Sequence, residues 1–124
     1  MLVLDTGALI AIDRGDRHVT AMLKVARVHE LPVRTSAAVV AQVWRNGARQ
    51  SDLARALSGI EAVSLDPRTA KELGTLLAAA GGRDVVDAHV ARLVSEGDQV
   101  LTSDSGDIQR LLTARRVKAV ATRV

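Results

Sequence analysis

Short runs of aliphatic and β-branched residues alternate with longer stretches of helical periodicity along all 124 residues, and that alternation predicts an α/β protein. Strands separated by helical runs pair in parallel through right-handed crossovers. The expected architecture is therefore a three-layer α/β/α sandwich with a short, mostly parallel central sheet. One domain spanning 1–124 suits the usual size of roughly 100–200 residues, and no repeat, low-complexity tract or linker divides it.

The elements follow in order. Met1–Leu4 reads as a short buried strand, Thr6–Arg14 as a helix stopped by Gly15, and Asp16 to about His29 as a second helix. Leu31–Thr35 is a strand; Ser36–Asn46 is helical up to Gly47, with a further helix near Ser51–Leu57. Ile60–Leu65 is the third strand. Asp66-Pro67 then opens a helix, Asp as N-cap and Pro at the first helical position, which runs to Gly81-Gly82. Asp84–Ser95 is a helix closed by Gly97, Gln99–Thr102 a strand, Asp104–Ala114 a helix and Val117–Ala121 the last strand.

Composition narrows the chemistry. Without a single Cys, disulfides, thiolate zinc sites, iron–sulfur clusters and a cysteine nucleophile are excluded. One Trp with no Phe or Tyr leaves a core of Val, Leu, Ile and Ala, and removes the recognition styles that stack bases on several aromatic rings. A net charge of +3 and a pI near 10.2 suit a polyanionic partner, because fixed cations displace counterions from phosphate chains. Asp5 interrupts the apolar amino-terminal stretch and no basic region precedes it, which argues against a secretory signal. No apolar run approaches the ~18 residues of a membrane span. A cytoplasmic protein is expected, with no membrane partner.

In open parallel sheets, ligands collect beyond the carboxyl ends of the strands. Two runs end there in acid: LVLD at Asp5, and VLTSDSGD at Asp104 and Asp107. Each Asp is also a natural N-cap for the following helix. The segment RDVVDAHVARLV tilts the balance. At ~100° per residue, Val86, Val90, Leu93 and Val94 share one face, and His89, Arg92 and Glu96 share another, expected to be solvated. Asp87 falls opposite that polar face, with Asp84 one turn earlier. A charge turned toward the core border costs several kcal/mol unless paired or coordinated; Arg83, Arg110 or a local backbone bond would be the structural partner. Converging carboxylates without His or Cys ligands suit a hard divalent cation such as Mg2+ or Mn2+. Such an ion polarises a phosphate, lowers the pKa of a bound water and makes the crowding tolerable. That reasoning arrives at metal-dependent phosphodiester or phosphate chemistry.

The segments LVLDTGALIA, TSAAVVAQVW, DVVDAHVA and VLTSDSGDI, in that order and at those separations, resemble PIN-domain proteins, specifically the toxins of VapBC-type toxin–antitoxin modules. The resemblance covers essentially the whole chain. It implies a single PIN-like domain, a Mg2+- or Mn2+-dependent endoribonuclease, a homodimer, and a small cognate antitoxin as inhibitor. By position, Asp5, Asp87 and Asp104 match the family's metal-binding acids, with Asp107 as a further catalytic acid and Asp84 in a secondary role. Thr6, Ser36, Thr102 and Ser103 would be hydroxyls bonding carboxylates or metal waters. The family usually carries Glu where this chain has Gln42; an amide keeps an acceptor oxygen but loses the charge and the capacity to act as a base.

Other residues carry less. Arg45, Arg49 and Arg83 are candidates for RNA phosphate contacts, though a solvated face would look the same. The tail cations Arg115, Arg116, Lys118 and Arg123 are equally ambiguous. Trp44, beside Val40 and Val43, reads as core or dimer interface, and His18, His29 and His89 as solvent-facing. A dehalogenase-like phosphatase also begins with a strand ending in Asp, but that chemistry needs a second Asp where this chain has Gly7. A PIN domain that binds RNA or an antitoxin without cutting, because of Gln42, is the other alternative.

Overall fold

A computed structural model describes all residues, 1–124. Five strands, β1 (Leu2–Leu4), β2 (Val33–Ser36), β3 (Glu61–Val63), β4 (Gln99–Thr102) and β5 (Val120–Arg123), form one sheet in the order β3-β2-β1-β4-β5. Every neighbouring pair is parallel, with Leu2 opposite Val33 on one side and Gln99 on the other. Between them run α1 (Thr6–Asp13), α2 (Arg17–Val28), α3 (Ala37–Val43), α4 (Ser51–Leu57), α5 (Pro67–Ala80), α6 (Val85–Leu93) and α7 (Ser105–Arg115), with a 3-10 turn at Gly47–Arg49.

Parallel pairing forces each connection to cross over a face of the sheet, and the strand order decides which face. The chain steps outward from β1 through β2 to β3, then returns beside β1 as β4 and steps the other way. Right-handed crossovers then send the helices to opposite faces. Accordingly α1 packs against α2, α3 and α4, while α5, α6 and α7 pack against one another. The direction of winding changes between β1 and β4, which opens a crevice at their carboxyl ends.

The core is aliphatic, as expected from a chain with one aromatic residue. All of β1, Val100 and Leu101 of β4, Leu9 and Ile12 of α1, and Ile108, Leu111 and Leu112 of α7 are buried. Burying each such side chain stabilises the fold by roughly 1.5–3 kcal/mol. The helical stops work through backbone geometry: Gly15 and Gly81 take φ of 76° and 77°, left-handed values open to glycine without a Cβ clash.

Three sequence expectations shift. The last strand starts at Val120, not Val117, because Arg116 turns left-handed at the end of α7 and the next residues bond elsewhere. The Lys118 N–H donates to the Glu96 carboxylate and its carbonyl accepts the Gly97 N–H. The helix expected over Ser36–Asn46 stops at Val43, where the buried Gln50 side chain takes over its bonds. Gln50 donates to the Val43 carbonyl and accepts the Arg45 and Asn46 N–H groups. Finally, His89 is not on a solvated face. It is 1% exposed, because α6 is covered by α5, α7 and the sheet together and leaves no such face at that position.

Candidate functional site

The crevice between β1 and β4 collects the acids. Asp5 follows β1 directly and caps α1: its Oδ1 accepts the Ala8 N–H at 3.0 Å and its Oδ2 accepts the Ser103 N–H at 3.3 Å. Asp104 lies two residues beyond β4 and caps α7, accepting the Asp107 N–H at 3.3 Å. Its own N–H donates to the Thr102 hydroxyl at 2.9 Å. Asp84 caps α6 in the same way, accepting the Asp87 N–H at 3.0 Å. Two Asp-x-x-Asp turns thus present Asp87 and Asp107 from equivalent positions of their helices.

One oxygen from each of Asp87, Asp104 and Asp107 lies within 4.8 Å of the other two. The set expected from sequence places Asp5 with Asp87 and Asp104, and Asp107 beside them. The Asp5 carboxylate is held at the start of α1 by its two N–H donors, and Asp107 stands in the first turn of α7. Asp5 still acts on the cluster by its charge. The Asp87 carboxyl is pushed up to about 6, first by burial and then by the charges of Asp84, Asp5, Asp104 and Asp107. Burial also raises the Asp5 carboxyl, against the lowering effect of the Thr102 hydroxyl and of backbone N–H groups. Asp107 is raised by its hydrogen bond with Asp104 and by that carboxylate's charge, while Arg110, 3.0 Å away, pulls it down. Arg110 is therefore spent on Asp107 and does not neutralise Asp87.

Gly7 makes the convergence possible. A Cβ there would stand 2.3 Å from Ser103 Oγ and 2.4 Å from Ser103 Cβ, so any side chain would separate the two turns that carry Asp5 and Asp104. In the sequence Gly7 stood out only as the position where a dehalogenase-like phosphatase would carry its second Asp, and this role was missed; a glycine following a strand-end acid was the available signal.

These donors fit a hard cation. All are oxygens, burial together with the neighbouring acids raises Asp87, and Asp104 raises Asp107, and an ion among them converts repulsion into attraction. A concavity of about 830 Å³ lies elsewhere: Leu31, Pro32 and Val33 at the start of β2, with Ile60 before β3, place it at the opposite end of the strands.

The sequence pattern of the PIN domain matches residues 2–111. The chain belongs to the PIN-domain family. Among curated proteins none matches it. A solved structure of similar fold is VapBC2 from Rickettsia felis, bound to a DNA fragment from its promoter; 99% of this chain and 98% of that one superpose with a TM-score of 0.65 at 16% identity.

In this PIN domain the remaining predicted residues divide by position. The Thr6 hydroxyl donates to the Oε1 of Gln42, which joins the last turn of α3 to the residue after Asp5. Thr102 is buried beside Asp5, and Ser103 contributes its backbone N–H to Asp5. Ser36 does not reach the carboxylates: its buried Oγ bonds His89 Nδ1 at 2.6 Å and accepts the Ala38 N–H at 3.0 Å. Arg45 folds back onto the Ala41 and Trp44 carbonyls, while Arg49 and Arg83 are exposed and outside every ion pair. Arg115 proves structural, capping α6 through the Ala91 and Val94 carbonyls. Trp44 is 38% exposed, its ring resting on Gly47. No helix is long and apolar enough to cross a membrane.

Proposed function

We propose that this PIN domain is a Mg2+- or Mn2+-dependent endoribonuclease and the toxin of a toxin–antitoxin pair, in which Asp5, Asp87 and Asp104, with Asp107 beside them, hold the cation. The observation that carries this reading is the approach of three carboxylates to within 4.8 Å at the crevice, in a chain with no cation directed at Asp87. A divalent ion held there would offset phosphodiester charge and make an attacking water more acidic. The chain's own groups do the rest. Asp5 keeps the turn of Asp104 in place through the Ser103 N–H. Gln42 offers an acceptor oxygen but takes no proton, so proton acceptance falls to carboxylate oxygens. Arg45, Arg49 and Arg83 would supply cations to RNA phosphates. The small antitoxin would place an Arg on the same acids, in competition with the metal, and the toxin would act as a homodimer.

Incubating the protein with RNA, with and without a chelator, tests the reading. Cleavage that needs Mg2+ or Mn2+ and disappears in Asp104→Asn supports it; cleavage that survives chelation sinks it. The Thr6–Gln42 bond favours a second reading, a PIN domain that binds RNA or antitoxin without cutting, since an amide stands where the family's acid would be. Metal-dependent RNA binding without cleavage would select that one.

A further inference from the structure

Ser36 and His89 are 0% and 1% exposed, yet they meet through polar atoms 2.6 Å apart. We infer that this buried hydrogen bond is a positioning tie, which fixes where α6 presents Asp87 and thereby sets the metal affinity of the cluster. The inference rests on the reading of the acids as a metal centre.

His89 is flanked on α6 by Ala88, Val90, Ala91 and Leu93, all buried. An aliphatic residue would suit that setting at lower desolvation cost, since a buried polar group must find its partner or lose stability. Apolar packing is also non-directional: helix α6 could shift over the sheet by fractions of an ångström without losing it. A short hydrogen bond is directional and holds one register.

The far end of the tie is itself fixed. Ser36 Oγ accepts the Ala38 N–H of α3, and the preceding Thr35 hydroxyl donates to the Leu4 carbonyl at 2.8 Å. Leu4 adjoins Asp5. A continuous path therefore runs from Asp5 through Leu4, Thr35 and Ser36 to His89, two residues from Asp87. On the other side the Ser103 N–H ties Asp5 to the turn of Asp104. The Asp87 carboxylate makes no hydrogen bond or ion pair of its own, and only its backbone N–H is tied, to Asp84 at the cap of α6, so its placement depends on this helix.

Calorimetric titration with Mn2+ of the wild type, Ser36→Ala, His89→Leu and the double variant tests the tie. Each single change should weaken Mn2+ roughly tenfold, as removal of groups that orient metal ligands does. The double variant should be no weaker than the weaker single, because both remove one bond. The double variant, which leaves neither partner buried without the other, should unfold at wild-type denaturant concentration or above, which separates placement from stability, and His89→Asn should recover part of the affinity. Wild-type affinity in both single variants, or losses that add in the double, would overturn the inference. Should His89→Leu fail to fold, Ser36→Ala, which removes a single oxygen, carries the comparison. If the wild type takes up no Mn2+ or Mg2+, the metal reading itself fails. The tie is then judged on metal-free protein by amide hydrogen exchange, where Ser36→Ala should speed exchange in the first turns of both α3 and α6; unchanged rates there overturn it.

Discussion

Replacing Asp87 with asparagine should stabilise the metal-free protein at neutral pH while removing its affinity for metal. In the fold the Asp87 carboxyl stands at about 6 against an ordinary value of 3.8. Below the lower value it is protonated in both folded and unfolded chains and contributes nothing. As pH rises between the two, the unfolded chain loses its proton first, so folding is progressively disfavoured. Above the higher value the cost is complete. At about 1.36 kcal/mol per pH unit the gap corresponds to ~3 kcal/mol. Asp87 is only half-buried, and screening by water reduces this to ~1–1.5 kcal/mol. Asparagine removes the charge and keeps the shape. Urea unfolding in chelator should therefore show the variant more stable by that amount above pH ~7, with the gain fading as pH falls through the window. Saturating Mn2+ should reverse the order, because an ion at a hundred times its dissociation constant adds ~2.7 kcal/mol to the wild type alone. A variant no more stable than wild type in chelator, or a gain that persists at low pH, would refute the claim that burial and the neighbouring acids together strain this carboxylate.

Three further outcomes follow from the same geometry. Gly7→Ala should cost ~2–3 kcal/mol of stability in denaturant unfolding, since its Cβ would stand 2.3 Å from Ser103 Oγ, and should weaken Mn2+ by parting Asp5 from the Asp104 turn. Gln42→Glu should tighten Mg2+ roughly fivefold, about 1 kcal/mol, because a negative charge bonded to Thr6, the residue after Asp5, adds to the cluster's potential while a carboxylate oxygen can still accept the Thr6 hydroxyl; equal affinity and equal cleavage rate would make position 42 peripheral. Sedimentation should find a dimer at micromolar concentration, and a strict monomer would remove that part of the proposal without touching the acids.

The alternation of strand and helix was legible in the sequence because it depends on local patterning, and all five strands lie within a few residues of their expected places. What the pattern could not carry is what depends on three elements meeting. His89 shares a helical phase with Arg92, which is exposed only in part, yet α5 and α7 close over it, and a helical wheel has no knowledge of those neighbours. Asp107 sits in the first turn of α7, where its phase gives no sign that α6 delivers Asp87 beside it. Asp5 announced itself at the end of β1, but its link to the turn of Asp104 runs through the Ser103 N–H, a partner 98 residues away.

Capping and metal chemistry, set against each other in sequence, turn out to be one arrangement. Asp5, Asp84 and Asp104 each use Oδ1 to accept an N–H of the following helix, which fixes the side chain in a single rotamer and leaves the other oxygen uncommitted to the cap. The helices so capped, α1, α6 and α7, all begin at the crevice. Their amino-terminal ends carry partial positive charge, each stabilising nearby anions by about 0.3–1 kcal/mol. That is enough to bring acids together but not to neutralise them, as the raised Asp87 carboxyl shows. The remaining repulsion is what a cation relieves on binding. A fold that capped these helices with Ser instead would be as well formed and more stable without metal, and it would have nothing to hold the ion. The excess negative charge at the crevice is thus the part of this sequence that folding does not require.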